Sequence, residues 1–207
     1  NSVTSINGFS SNKLTSVIIP NSVTSIGEYA FKDNNLKSIV IPNSVIDVGD
    51  SAFKNNKLTS IIIPNSLTMI NNSTFELNKL KNLIIPKSII SINDNAFMDN
   101  KLESLKIPNS VINIGDNAFS YNHLTNLNLG KSVEYIGEDA FYENKLTNVL
   151  IHESILDIGK YAFSFQRGNK VSAIIPESLK NLIDFKQKSG KEWNFFVFPK
   201  GSNVNTY

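Results

Sequence analysis

Apolar and polar positions along this chain follow one pattern that returns at a fixed interval. Leu14, Val17 and Ile19 are answered by Leu36, Ile39 and Ile41, then by Leu58, Ile61 and Ile63, each set twenty-two positions after the last. A phenylalanine keeps the same step at Phe9, Phe31, Phe53, Phe75, Phe97, Phe119, Phe141 and Phe163. A constant period of this length predicts a solenoid, in which each repeat is one coil and neighbouring coils share a core. Within a coil, the apolar residues three and five places after the leucine have the period of a strand with one buried face. Proline closes that strand at Pro20, Pro42, Pro64, Pro86, Pro108 and Pro176, with Gly130 and His152 standing in twice. Proline ends ladder pairing and turns the chain.

The rest of the coil reads as corners. A serine follows at Ser22, Ser44, Ser66, Ser88, Ser110, Ser132, Ser154 and Ser178, then a short apolar pair such as Val23 and Ile26. That pair predicts a second, shorter strand on another side. Gly27, Gly49, Gly115, Gly137 and Gly159 end it, with Asn71 and Asn93 as substitutes. Both residue types accept a positive φ. The segment from Gly27 to Asn34 reads as a short helical turn. An acid opens it (Glu28, Asp50, Asp94, Asp116, Glu138) and a lysine follows it (Lys57, Lys79, Lys101, Lys145), signs that suit a helix dipole. Asparagine closes the turn at Asn12, Asn34, Asn56, Asn78, Asn100, Asn122, Asn144 and Asn169. It suits a left-handed cap, and its side chain can bond the neighbouring coil's backbone. Gln166, Arg167 and Gly168 form a local insertion, and the strand from Val171 to Pro176 is one residue short. The expected organisation is a repeat solenoid over residues 1–178, with a parallel β-sheet along one face. An irregular repeat and partial cap follow over 179–207.

Composition narrows the function. The net charge is +2 and Arg167 is the only arginine among the basic residues. A nucleic-acid binder concentrates basic charge on one face and favours arginine for bidentate contacts. There is no cysteine, which excludes disulfides, cysteine zinc sites and thiol catalysis. No stretch reaches the roughly 18 apolar residues of a membrane helix. The chain opens on Asn1 with no secretory signal in view and reads as a mature or trimmed fragment of a longer protein.

Candidate chemistry is thin. A catalytic triad needs a nucleophile, a base and an orienting acid together. His123 falls in the lysine column and His152 in the proline column, so both read as corner residues. A hydroxyl that recurs in every coil reads as a structural bond. The acid column offers oxygen ligands for calcium, but Asn72 interrupts it, Lys160 ends it, and no coil holds a clustered set. We expect no enzyme, no cofactor and no metal site.

The strand position between the two buried residues points out of the sheet. Down the coils it is Ile18, Val40, Ile62, Ile84, Lys106, Asn128, Leu150 and Ile174. Two readings of the first four stand side by side. Branched residues suit a strand even on its wet face, and an exposed apolar patch marks an interaction site. On the second reading Ile18, Val40, Ile62 and Ile84, flanked by Lys37 and Lys81, are the candidate partner surface. The lysine column forms a basic ridge, read either as a solvated edge or as a contact for an anionic polymer or membrane surface.

Leu14 to Asn34, LTSVIIPNSVTSIGEYAFKDN, resembles the bacterial BspA-like leucine-rich repeat, LxxIxIPxSVxxIGxxAF with a polar cap. The likeness runs over nearly all of Val3 to Ser178. The family often has cysteine where this chain carries its asparagine column. Trp193 to Pro199, WNFFVFP, is similar to the family's closing cap, and Pro199 to Tyr207 to a segment that usually continues further. The resemblance implies an extracellular or cell-surface bacterial protein that binds a protein or glycan of a host or neighbouring cell, an extracellular-matrix protein included, as a monomer or weak dimer. Two other roles follow from the same residues: a structural spacer or self-assembly stalk, and the targeting arm of a larger cell-wall enzyme.

Overall fold

The structure is a computed structural model that describes residues 2–167, 171–174 and 176. The chain winds as a solenoid of parallel strands, and the repeated side chains form continuous columns through its interior. Phe31, Phe53, Phe75, Phe97, Phe119, Phe141 and Phe163 are all buried, together with the leucine column from Leu36 to Leu146. Successive rings from Phe9 to Phe163 stack with centroids 5.2–5.6 Å apart and planes within 16°. Phe9, on the first coil, has one face uncovered and is 47% exposed.

Two columns of strands follow the coils. The shorter apolar pairs form β1 (Ser5–Ile6), β2 (Ser25–Ile26), β3 (Asp47–Val48), β4 (Met69–Ile70), β5 (Ser91–Ile92), β7 (Asn113–Ile114), β9 (Tyr135–Ile136) and β11 (Asp157–Ile158). They pair in parallel and in register as β1-β2-β3 and β4-β5-β7-β9-β11. The leucine-led segments form β6 (Ser104–Lys106), β8 (Asn126–Asn128), β10 (Asn148–Leu150) and β12 (Ser172–Ile174). These pair as β6-β8 and β10-β12. In the first half of the chain the same side carries the isolated parallel bridge Val40 to Ile62 and inter-coil backbone bonds such as Lys57 N–H to Leu36 and Thr59 N–H to Lys37. The segment expected to be the shorter strand thus makes the longer ladder.

The expected helical turns are not helices. Among the described residues no segment is helical. The N–H groups of Tyr29, Phe31 and Asp33 donate to Asp50, Ala52 and Lys54 in the next coil, not back along their own chain. Short turns join these points: Ala30 N–H donates to Gly27 and Lys32 N–H to Tyr29. Positive φ falls on Tyr29 and Asp33, and on their counterparts such as Ser51 and Asn55, rather than on Gly27 or Asn34.

The glycine column has a different cause. A Cβ on Gly49 would lie 2.5 Å from Glu28 N, and one on Gly159 would lie 2.3 Å from Glu138 N. Those glycines let one coil's backbone press on the previous one. The acid column has no helix dipole to complement. Its side chains accept backbone N–H groups of the next coil: Asp50 from Asn72 (3.1 Å), Asp94 from Asp116 (2.9 Å), Asp116 from Glu138 (2.7 Å). Asn72 continues this ladder, its Oδ1 accepting from Asp94 N–H at 3.2 Å.

The asparagine column does what its side chain allows. Asn122 Oδ1 accepts from Leu102 N–H at 3.0 Å, and its Nδ2 donates to the carbonyls of Phe97, Phe119 and Ser120. Asn34, Asn56, Asn78, Asn100 and Asn144 repeat the arrangement. In the eighth coil Gln166 takes over, accepting from Leu146 N–H and donating to Phe141, Phe163 and Ser164. The asparagine column predicts Asn169 in that role; Asn169, Ser178 and the expected cap over 179–207 lie outside the described residues. The serine column is uneven. Ser22 and Ser154 donate to Val3 and Val133 at 2.6 and 2.8 Å, and Ser66 donates to Val45. The buried hydroxyls of Ser44, Ser88 and Ser110 find no partner among the described residues.

Candidate functional site

The outward strand column is where the sequence reading puts it. Ile18 is 91% exposed, Val40 67%, Ile62 70% and Ile84 84%, while their chain neighbours Ile19, Ile39, Ile41, Ile61, Ile63, Leu83 and Ile85 are buried. The alternation follows from the strand's two-residue period, with the inward set filling the core and the outward set left in water. Ser16, Ser38, Ser60 and Asn82, two places earlier on the same face, are exposed and short, so they leave the apolar side chains proud. Lys37 and Lys81 are exposed at the same strand position two coils apart. Lys106 and Asn128 continue the column as exposed polar residues, and Leu150 and Ile174 return it to apolar. The four apolar side chains therefore line one side of the first four coils, and Lys37 and Lys81 are exposed near the start of two of those strands.

The two histidines sit at corners. The His123 Nδ1 lies 2.9 Å from the Asn122 carbonyl, and the His152 Nε2 lies 3.1 Å from the Leu129 carbonyl. Lys57, Lys79 and Lys101 stand exposed along one edge, and their backbone N–H groups donate to Leu36, Leu58 and Leu80 of the preceding coil.

Two features were not anticipated. Tyr121, Tyr142 and Phe165 cluster at one corner, with centroids 5.5 and 5.1 Å apart. Arg167 beside them reaches Glu143 at 3.5 Å. The signal was present: Tyr121 and Phe165 occupy a column of positive φ in which Asp33, Asn55 and Asp99 are the expected residues. A shallow groove of about 560 Å³ runs beside the β5–β11 ladder, with Asp94, Asp116, Tyr135, Glu138, Asp157 and Lys160 among its lining residues. Asp139, next to Glu138 in the chain, is held above the usual carboxylate range, first by burial and then by the charges of Glu138 and Asp116, with Lys160 opposing.

Stacked coils with an exposed sheet face define a leucine-rich-repeat solenoid. The sequence matches the family described as BspA type leucine rich repeat region, in 6 copies over residues 4–122 and 91–200. The chain belongs to that family. No curated protein matches it. Among solved structures it is similar to a leucine rich cell surface protein from Faecalibacterium prausnitzii, with TM-score 0.60 and 24% identity over 84% of this chain and 48% of that one. It is also similar to the pneumococcal vaccine antigen PcpA, with TM-score 0.53 and 18% identity over 83% of this chain and 68% of that one. A leucine-rich repeat protein from Bacteroides ovatus aligns with TM-score 0.43 and 22% identity over 95% of this chain and 75% of that one. The chain thus spans about half the length of the Faecalibacterium protein. These identities speak to the fold alone.

Proposed function

We propose that this chain is a non-enzymatic recognition domain of an exported bacterial protein. It is displayed at the cell surface and binds a protein or glycan partner through the face that carries Ile18, Val40, Ile62 and Ile84. The observation that carries this reading is the exposure of four large aliphatic side chains in one line, at positions where threonine would serve the strand equally well. Branched side chains left in water at these positions cost solubility, and an apolar line rimmed by polar residues is the usual form of an interaction site. That the Faecalibacterium neighbour is a cell surface protein supports the location. The regular backbone ladders, and corner histidines whose ring nitrogens lie on backbone carbonyls, support a scaffold.

The test replaces the four residues together by threonine. Circular dichroism and melting should change little, because the substituted side chains leave the core untouched. Binding to immobilised extracellular-matrix proteins and glycans, followed by surface resonance, should weaken at least tenfold, since burying each aliphatic side chain contributes about 1.5–3 kcal/mol. Unchanged affinity for every ligand that the parent binds rejects this face. A tight homodimer in light scattering that the threonine variant loses would instead favour the assembly role.

A further inference from the structure

Resting on that reading of the face, we infer that its partner is an amphipathic α-helix of about four turns. The helix lies along the solenoid axis over Ile18, Val40, Ile62 and Ile84, with an acidic flank on Lys37 and Lys81.

The argument is one of matching repeats. Coils are spaced by about 4.8 Å where strands pair and by 5.2–5.6 Å where the phenylalanines stack. An α-helix rises about 5.4 Å per turn, and residues i, i+4, i+7 and i+11 share one face over about 16 Å. Three coil steps, from Ile18 to Ile84, span about 14–17 Å on the same spacings. A helix therefore meets one apolar side chain per coil without losing step. An extended peptide laid along the same line presents a side chain on one face every 6.6–6.8 Å or so, and overshoots by about 3–6 Å across the stripe. The helix suits this surface and the strand does not.

Charge and size point the same way. Lys37 and Lys81 stand two coils apart, about 10–11 Å, which is the rise of about seven helical residues. Lys37 and Lys81 stand three residues before Val40 and Ile84, about 10 Å along the strand, which a lysine side chain spans toward the flank of a helix about 10–12 Å in diameter. Carboxylates seven residues apart on that flank would face both. Lys106 occupies the outward position just beyond Ile84, where its charge suits the carbonyl end of a bound helix. A second copy of this chain is the poorer occupant. At ~100 Å² each, the four side chains offer roughly 400 Å², about half of what each partner contributes to a standard stable interface. Face-to-face pairing would also oppose the lysines of one copy to those of the other.

The probe is a fluorescein-labelled alanine-based peptide of sixteen residues, with leucines at i, i+4, i+7 and i+11 and glutamates seven apart on one flank. A second peptide has the same composition with leucines alternating. A third has lysines in place of the glutamates. Anisotropy titration against the whole chain should show the first peptide binding at least tenfold more tightly than the second, with a gain in helical circular dichroism on mixing. Reversing Lys37→Glu and Lys81→Glu together should weaken the first peptide at least fivefold at low salt and strengthen the third. No saturation of the first peptide by about 1 mM, or equal binding of the alternating peptide, overturns the helix inference. If the four-threonine variant at Ile18, Val40, Ile62 and Ile84 binds the helical peptide as tightly as the parent chain, the face itself is rejected. If it abolishes binding of the alternating peptide while that peptide equals the helical one, the face stands and only the helix falls.

Discussion

Asn122→Asp should cost on the order of 5 kcal/mol at pH 7, the full stability of many domains. The Asn122 side chain is fully buried, and its Nδ2 sits 2.9–3.2 Å from the carbonyls of Phe97, Phe119 and Ser120. A carboxylate there would turn an oxygen on three carbonyl oxygens. Burial and those carbonyls would raise the new group's pKa in the folded state. The native protein then binds more protons than the unfolded chain, so the penalty is smaller at pH 4 than at pH 7. Asn122→Ala should cost less, about 1–3 kcal/mol, for the orphaned Leu102 N–H, since the three carbonyls keep Asn100 Nδ2, Asn144 Nδ2 and Asp99 N–H as donors. Urea titrations of both variants at the two pH values check the order and the sign. A loss below about 1 kcal/mol for the aspartate variant at pH 7 would mean that the column does not hold the coils together.

Phe97→Ala should cost about 3–5 kcal/mol. The ring is fully buried and stacks on Phe75 and Phe119 with centroids 5.4 Å away on each side. Removing it deletes buried apolar surface, leaves a cavity and breaks two ring contacts, each beyond its area burial worth about 0.5–1.5 kcal/mol. In a solenoid each coil is stabilised by its two neighbours, so a defect in the middle uncouples the two halves. The unfolding transition should both shift and broaden. Phe9→Ala is the contrast: the ring is 47% exposed and has one stacking partner, and its loss should cost about 1 kcal/mol. Equal losses at Phe9 and Phe97 would contradict a stack whose end differs from its middle.

The columns that carry stability were legible because each is written once per coil. A buried phenylalanine and a buried asparagine recur at the same step, and recurrence of a polar residue beside a core position leaves ladder bonding as its natural use. The exposed stripe was legible for the same reason: the two-residue period that buries Ile39 and Ile41 must expose Val40. Errors arose where one residue type suits two geometries. Gly49 reads as a residue of positive φ, yet it serves close approach, and only the position of Glu28 N in the adjacent coil decides between them. Asp94 and Asp116 at the start of a turn read as helix complements. Their carboxylates accept N–H groups of the next coil, a contact between residues distant in sequence. Gln166 was read as part of an insertion because it breaks the asparagine column, although its longer amide reaches the same acceptors. In the aromatic corner Tyr121 and Phe165 stand out within their own column, but Tyr142 joins them from the adjacent one, so the cluster as a whole is not written in either column.

Distances along the outward face test the stacked-coil arrangement most directly, and the absence of cysteine allows spin labels to be placed at will. Ser16, Ser104 and Asn148 stand in one exposed column, with Ser104 four coils and Asn148 six coils beyond Ser16. Double electron–electron resonance on Ser16→Cys/Ser104→Cys and Ser16→Cys/Asn148→Cys should give separations of about 20 and 30 Å, growing by about 5 Å per coil. Equal separations, or a shorter one for the pair farther apart in sequence, would contradict the solenoid and with it the continuous face on which the proposed recognition depends.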